Sequence, residues 1–240
     1  MKNDNEGVYG DHISHEFNDD LKALNADFLK MGYMVGEQLT QAITALMDSD
    51  SHLADEVRNR DKTVDKLELE LDEEATRIIA RRQPAAKDLR LVIAVIKMVA
   101  DLERVGDEAK KIAKFAMTLS EEGQAPSGYV EVRHISSHVL AMLHDALDAF
   151  ARLDSEQALR VMKEDKIVDE EYKAATRTLL TFMMEDTRNI SRCMSVMWVL
   201  RALERVGDHA CNVAEHVIFM VEGEDIRHTP LEKAERLVGN

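Results

Sequence analysis

Six consecutive residues, Leu102-Glu103-Arg104-Val105-Gly106-Asp107, recur without change as Leu203-Glu204-Arg205-Val206-Gly207-Asp208. Glu103 and Glu204 are 101 positions apart, and the likeness extends upstream of both copies. Asp61-Lys62-Thr63-Val64-Asp65 answers to Asp165-Lys166-Ile167-Val168-Asp169, and Asp50-Ser51, Ala54 and Val57 answer to Asp154-Ser155, Ala158 and Val161. These upstream matches are offset by about three residues more than the six-residue motif, so the second copy is shortened between its two conserved stretches. A chain built this way folds as one unit used twice.

The unit is helical. Ala, Leu, Val, Met, Glu and Lys dominate, the aromatic share is 5%, and only three prolines occur in 240 residues, a composition that favours helices over sheets. Apolar residues in the motif region, Val95, Met98, Leu102, Val105, Ala109 and Ile112, step by three and four, as do Val196, Val199, Leu203, Val206, Ala210 and Val213. Each set forms one stripe facing a bundle core. Six long helices are expected, at 14–48, 51–82, 86–120, 129–153, 155–185 and 189–222. The fold class is all-α: two tandem, similar three-helix bundles, over 12–122 and 129–223, with a C-terminal tail at 224–240. Glu121-Glu122-Gly123-Gln124-Ala125-Pro126-Ser127-Gly128 divides the halves. Asp154 with Gln157 has capping-box spacing, and Gly223 suits a left-handed helix end. Thr229-Pro230-Leu231-Glu232 reads as cap, first-turn proline and capping acid of a short last helix. Gly32 and Gly36, four apart, mark a close approach by a neighbouring helix.

Charge excludes several functions. A formal net charge of −15 opposes nucleic-acid binding, which needs cations to displace counterions, and opposes adsorption to an anionic membrane. No apolar run reaches the roughly 18 residues of a membrane span, and the polar stretch 1–11 lacks a signal peptide's apolar segment. Two cysteines, Cys193 and Cys211, suit reduced thiols in a cytosol.

Four acid pairs share i, i+4 spacing: Asp61/Asp65, Glu103/Asp107, Asp165/Asp169 and Glu204/Asp208. Like charges so placed destabilise a lone helix by a few tenths of a kcal/mol, so helix formation does not account for them. Glu103 and Asp107 lie roughly 40° apart and away from the apolar stripe, facing outward or toward an adjoining helix. Two antiparallel helices could converge four such carboxylates on Mg²⁺, Mn²⁺ or iron. Equally, Arg104, Arg205, Arg90 and Arg201 could use the same acids in ion pairs, and spacing alone leaves both readings open. A second chemistry is a metal-dependent phosphohydrolase using His138, His144 and Asp145, with His134 upstream. Glu131 and His134 also have the Glu-x-x-His spacing of di-iron bundles, but in one copy where two are needed.

Phe28-Leu29-Lys30-Met31-Gly32, the stretch from Ile79 to Arg90, both Leu-Glu-Arg-Val-Gly-Asp copies and the continuation Asp208-His209-Ala210-Cys211-Asn212-Val213-Ala214-Glu215 resemble the PhoU family, from about residue 12 to 229. That resemblance implies two similar three-helix bundles and a cytoplasmic regulator that is not an enzyme. The implied partners are the high-affinity phosphate ABC transporter and the phosphate-sensing histidine kinase, whose starvation signalling it keeps off when phosphate is plentiful. It further implies a homodimer peripheral to the inner membrane through protein partners. Some members hold multinuclear metal clusters, which here points to Glu103/Asp107 and Glu204/Asp208, with Asp61, Asp65, Asp165 and Asp169 as co-ligands. The two halves differ beyond the motif. Asp208 is followed by Cys211, Asn212 and Glu215 on one side, where the first copy has Lys110, Lys111 and Lys114. The lysines oppose a cation, so the second half is expected to bind metal more tightly. Cys211 is a possible soft ligand that would favour zinc or iron, and His209, about 140° from Glu204, is placed outside the site.

Overall fold

The computed structural model describes residues 15–84, 86–227 and 229–239, without the side chain of Asp61. The ligand role expected of Asp61, and the expected starts at 12 and 14, therefore lie outside the described residues. The chain forms α1 (His15–Asp48), α2 (Ser51–Arg82), α3 (Ala86–Glu122), α4 (Tyr129–Arg152), α5 (Ser155–Glu185), α6 (Ile190–Glu222) and α7 (Leu231–Val238). Among the described residues there is no strand. Helices α1–α3 make one three-helix bundle and α4–α6 the other, and α3 and α6 lie against each other along the seam between them. Among the described residues no helix is long and apolar enough to cross a membrane.

The repeat is visible in backbone detail. At the first hairpin, Ser49 adopts φ 55°, the Asp50 N–H donates to Ala45 O at 2.9 Å, and the Asp50 carboxylate accepts from His52 and Leu53 N–H at 3.0 Å each. At the corresponding turn of the second half, Leu153 has φ 52°, Asp154 N–H reaches Ala149 O at 2.9 Å, and Asp154 accepts from Gln157 N–H at 2.9 Å. Only half of the expected capping box forms. The N–H that Gln157 would have satisfied is already bonded to Ala149, so Gln157 donates instead to Asp145 Oδ1 at 3.1 Å. Helix α6 begins after a single 3-10 turn, Thr187–Asn189, so the shortening of the second copy falls between its second and third helices. Gly223 ends α6 at φ 84°, as expected. The last helix starts one residue later than its sequence suggests: Pro230 occupies the cap, while the Thr229 hydroxyl turns back to the Ile226 carbonyl.

Helix α1 meets α4 across the seam. A Cβ on Gly32 would lie 2.4 Å from Leu147 Cδ2, and the Phe28 and Phe150 rings meet edge to face with centroids 4.5 Å apart. The close approach expected of both glycines is made at Gly32, where the small residue admits Leu147 of α4, and not at Gly36. Helix α7 folds back on α5, tied by Lys163 Nζ to Glu235 Oε1 at 2.8 Å.

Two glycines face opposite demands: Gly128 combines a left-handed backbone with a crowded Cβ position, and Gly36 has neither. Gly128 precedes α4 at φ 102°, and a Cβ there would fall 2.6 Å from Val196 Cγ1 and 3.1 Å from Leu179 Cδ2. Gly36 sits inside α1 with its nearest Cβ neighbour, Leu143 Cδ2, at an ordinary 3.8 Å. Gly128→Ala is expected to destabilise the fold by about 1–3 kcal/mol from backbone strain alone. Gly36→Ala is expected to stabilise it by up to about 1 kcal/mol through helix propensity. Urea unfolding of the two variants checks the opposite signs.

Candidate metal centre

Because α6 packs against α3, α4 and α5, and α3 against α1, α2 and α6, neither motif helix has a broad solvent face. Glu204 is buried at 8% exposure, deeper than the outward alternative allowed, while Glu103 and Asp107 are half-buried and Asp208 is exposed. In the second half, Asp165 of α5 reaches over Gly207, its Oδ1 3.5 Å from where a Cβ would stand. A hollow of about 440 Å³ opens there, lined by Asp165, Asp208, Cys211, Asn212 and Glu215 with Arg205 and His209 at its margin. Burial, then the carboxylates of Asp208, Asp169, Glu204 and Glu215, push the Asp165 pKa up to about 7. Burial and Asp208 also raise Glu204, against the pull of Arg201. Arg201 pairs with Glu204 Oε1 and lies over the Tyr172 ring, 5.9 Å from its centroid. The other oxygen, Glu204 Oε2, is buried without a hydrogen-bond partner. Partial desolvation and Asp169 raise Asp208 as well. Such a cluster gains by taking up a proton or a multivalent cation. The unpartnered oxygen and the crowded carboxylates fit a hard cation. Cys211 does not add a ready soft ligand, since burial and the surrounding acids push its thiol far up and hold it protonated.

The first half has the same scaffold and a different electrostatic solution. Glu103 is raised by burial and then by Asp107, but Arg104 spans the pair, with Nε 3.4 Å from Glu103 Oε2 and Nη1 3.2 Å from Asp107 Oδ2. Asp65 and Glu68 of α2 stand near enough to raise Glu103 further. Burial and the neighbouring Asp72 in turn raise Glu68. The ion-pair reading thus describes Glu103/Asp107, and a cation there would have to displace a guanidinium. Arg205, the counterpart of Arg104, leaves its own motif and crosses the seam to buried Glu108, at 3.1 Å. Arg90, another candidate partner of the acids, lies over the Phe219 ring at 5.8 Å.

Several residues enter the site region that the sequence reading did not select. Asp101 of α3 accepts from Asn212 Nδ2 and meets His209 Nδ1, each at 2.9 Å, bringing His209 to the margin of the hollow from which its helical angle had removed it. The repeat carried a signal for this: Asp101 corresponds to Ala202 and Glu108 to His209, so the polar seam residues are departures from the repeat. The set His138, His144 and Asp145 is not gathered. His138 faces Glu171, His144 lines a groove with Gly32 and Gly36, and Asp145 receives Gln157. Among the described residues, three ligating groups come within 4.8 Å of one another at His134, His138 and Glu171, not at the motif acids, whose closure on one ion requires side-chain rotation.

The raised Asp165 pKa means that folding favours its protonated form. Its stabilising contribution is complete below the unfolded value of 3.8 and is lost as pH rises through about 7. Asp165→Asn should therefore raise the melting temperature of chelator-treated protein more at pH 8 than at pH 4. A pH-independent difference between variant and parent melting curves would contradict this reading.

The PhoU domain is matched twice in this chain, over residues 28–116 and 132–217. A "Phosphate-specific transport system accessory protein PhoU homolog" of Pseudomonas putida is 54% identical over 222 residues, covering 92% of this chain and 87% of that protein. The "Phosphate-specific transport system accessory protein PhoU" of Escherichia coli K12 is 42% identical over 227 residues, covering 95% of this chain and 94% of that protein. The crystal structure of PhoU from Pseudomonas aeruginosa superposes with a TM-score of 0.85 at 54% identity, covering 87% of this chain and 100% of that one. Near full-length similarity, both domain matches and the doubled three-helix fold agree: the chain belongs to the PhoU family.

Proposed function

We propose that this protein is a non-enzymatic negative regulator of phosphate-starvation signalling that also modulates a high-affinity phosphate ABC transporter. The observation that carries this reading is near full-length similarity, at 54% and 42% identity, to relatives named as accessory proteins of the phosphate-specific transport system. It acts as a cytoplasmic adaptor, a homodimer held at the inner membrane by the transporter and by a phosphate-sensing histidine kinase. The acidic surface, at net charge −15, suits protein partners better than anionic lipid.

Metal belongs to this reading through the second half. Glu204, Asp208, Asp165 and Asp169 would hold Mg²⁺, Mn²⁺ or iron, with Glu215 adding negative potential. A bound cation offsets the repulsion that now raises Asp165, Glu204 and Asp208, at roughly 4 kcal/mol per unit charge at about 4 Å with an effective dielectric near 20. It would thereby tighten α5 against α6 and change the charge shown to partners. Asp61, Asp65, Glu103 and Asp107 would make the weaker site, because Arg104 already pairs with Glu103 and Asp107. That pairing also supports a second reading for the first half, a metal-free scaffold whose acids are structural.

Deleting the gene is expected to leave phosphate-starvation genes switched on in phosphate-rich medium, and normal repression there would overturn the regulatory role. Co-purification from membranes should recover a phosphate transporter or histidine kinase. Elemental analysis after loading with manganese or iron should show a larger loss for Glu204→Gln/Asp208→Asn than for Glu103→Gln/Asp107→Asn. Equal losses, or a larger first-half loss, would refute the ranking.

A further inference from the structure

Outside the acidic motifs, one group of side chains has the composition and spacing of a transition-metal site. His134 and His138 stand one turn apart on α4, their ring centroids 4.7 Å from each other, and Glu171 of α5 reaches between them. Glu171 Oε2 lies 3.2 Å from His134 Nδ1 and 3.7 Å from His138 Nδ1. These separations bracket the roughly 3.3–3.4 Å edge of a tetrahedron whose centre lies about 2.0–2.1 Å from nitrogen and oxygen ligands. Both Glu171 Oε2 and His138 Nδ1 are buried without a hydrogen-bond partner. The short contacts therefore leave the inner atoms unsatisfied, and buried polar atoms left unpaired are costly. A shared cation satisfies all three at once.

The repeat supplies an internal comparison. The corresponding positions of the first half are Lys30, Met34 and Leu67, which pack the same pair of helices with no ligand set among them. Helix packing thus does not demand two histidines and a glutamate here. The side chain of His134 is 61% exposed, against 31% for His138 and 24% for Glu171, so one side of the group opens to solvent. That leaves room for ion entry and for water as a fourth ligand.

We propose that His134, His138 and Glu171 form a zinc site that clamps α4 to α5, distinct from the carboxylate motifs. Two imidazoles and one carboxylate suit Zn²⁺, whereas the all-oxygen cluster on the other face of α5 suits harder cations. The site lies within the second bundle and does not depend on the regulatory role.

The test uses the full-length protein, stripped with chelator and titrated with zinc against a chromophoric competitor, with cobalt as a spectroscopic substitute. Parent protein is expected to bind zinc at this site and to give the visible absorption of tetrahedral cobalt. His134→Lys and His138→Met place the first half's residues at these positions and should keep the helical circular dichroism, as should Glu171→Gln. Each should weaken zinc binding at least tenfold and abolish the cobalt signal. The tetrahedral cobalt signal should persist in Glu204→Gln/Asp208→Asn, in which the carboxylate motif no longer competes for the metal. Unchanged zinc affinity in all three single variants, or loss only in the Glu204/Asp208 double variant, would overturn the proposal.

Discussion

Helices α3 and α6 lie along each other at the seam of the two bundles, and each is also covered by both other helices of its own bundle. Most of the architecture follows from this enclosure. A helix packed on three sides keeps only a narrow solvent stripe, which on these two helices carries Arg104, Lys111, Arg201 and Asp208, so polar residues off that stripe must find partners on neighbouring helices. Glu108, 2% exposed, is met by Lys111 at 2.9 Å on its own helix and by Arg205 at 3.1 Å from the other bundle. Asp101 holds His209 and Asn212 in return. These reciprocal polar pairs fix how the bundles meet, because a shift along the seam would leave buried charge unpaired.

The same enclosure explains why identical motifs have unlike surroundings. In the first half Arg104 stays with its own acids. In the second, Arg205 is drawn across the seam to Glu108, which leaves Glu204 to Arg201. That guanidinium is positioned by Tyr172, where the first half has Glu68. One arginine serves one oxygen of Glu204, and burial with the neighbouring carboxylates raises Asp165 and Asp208. The two halves thus differ in arginine pairing, which two identical six-residue motifs could not reveal.

What was legible in the sequence is what depends on local chemistry. Helix periodicity, the Asp154 cap, the Gly223 stop and the approach at Gly32 all rest on a few adjacent residues or on one repeated offset. Contacts made across helices were less legible. Gln157 has capping-box spacing, yet its turn had already satisfied the amide it would serve. His209 points away from Glu204 on a helical wheel, yet Asp101 from the facing helix defines its place. Which arginine serves which acid depends on the crossing of α3 and α6, a relation spanning about a hundred residues that no spacing rule encodes. Asp101 and Glu108 were nevertheless marked in the repeat, as polar residues whose counterparts differ.

Divergence between the two halves follows a physical logic. Duplication supplies two equivalent grooves between a second and a third helix, and packing constrains mainly the apolar stripes, so polar positions beside them are free to change. In the first half Arg104 bridges the motif acids, and Lys111, one of three lysines that follow the motif, serves buried Glu108. In the second half the changes remove cations from one side of α5, leaving a buried oxygen without a partner. Between α4 and α5 the exchange of Lys30, Met34 and Leu67 for His134, His138 and Glu171 has an analogous consequence with different ligands. Carboxylate oxygens gather against α6 and imidazole nitrogens against α4, so a single helix, α5, separates two groups of side chains with different donor atoms.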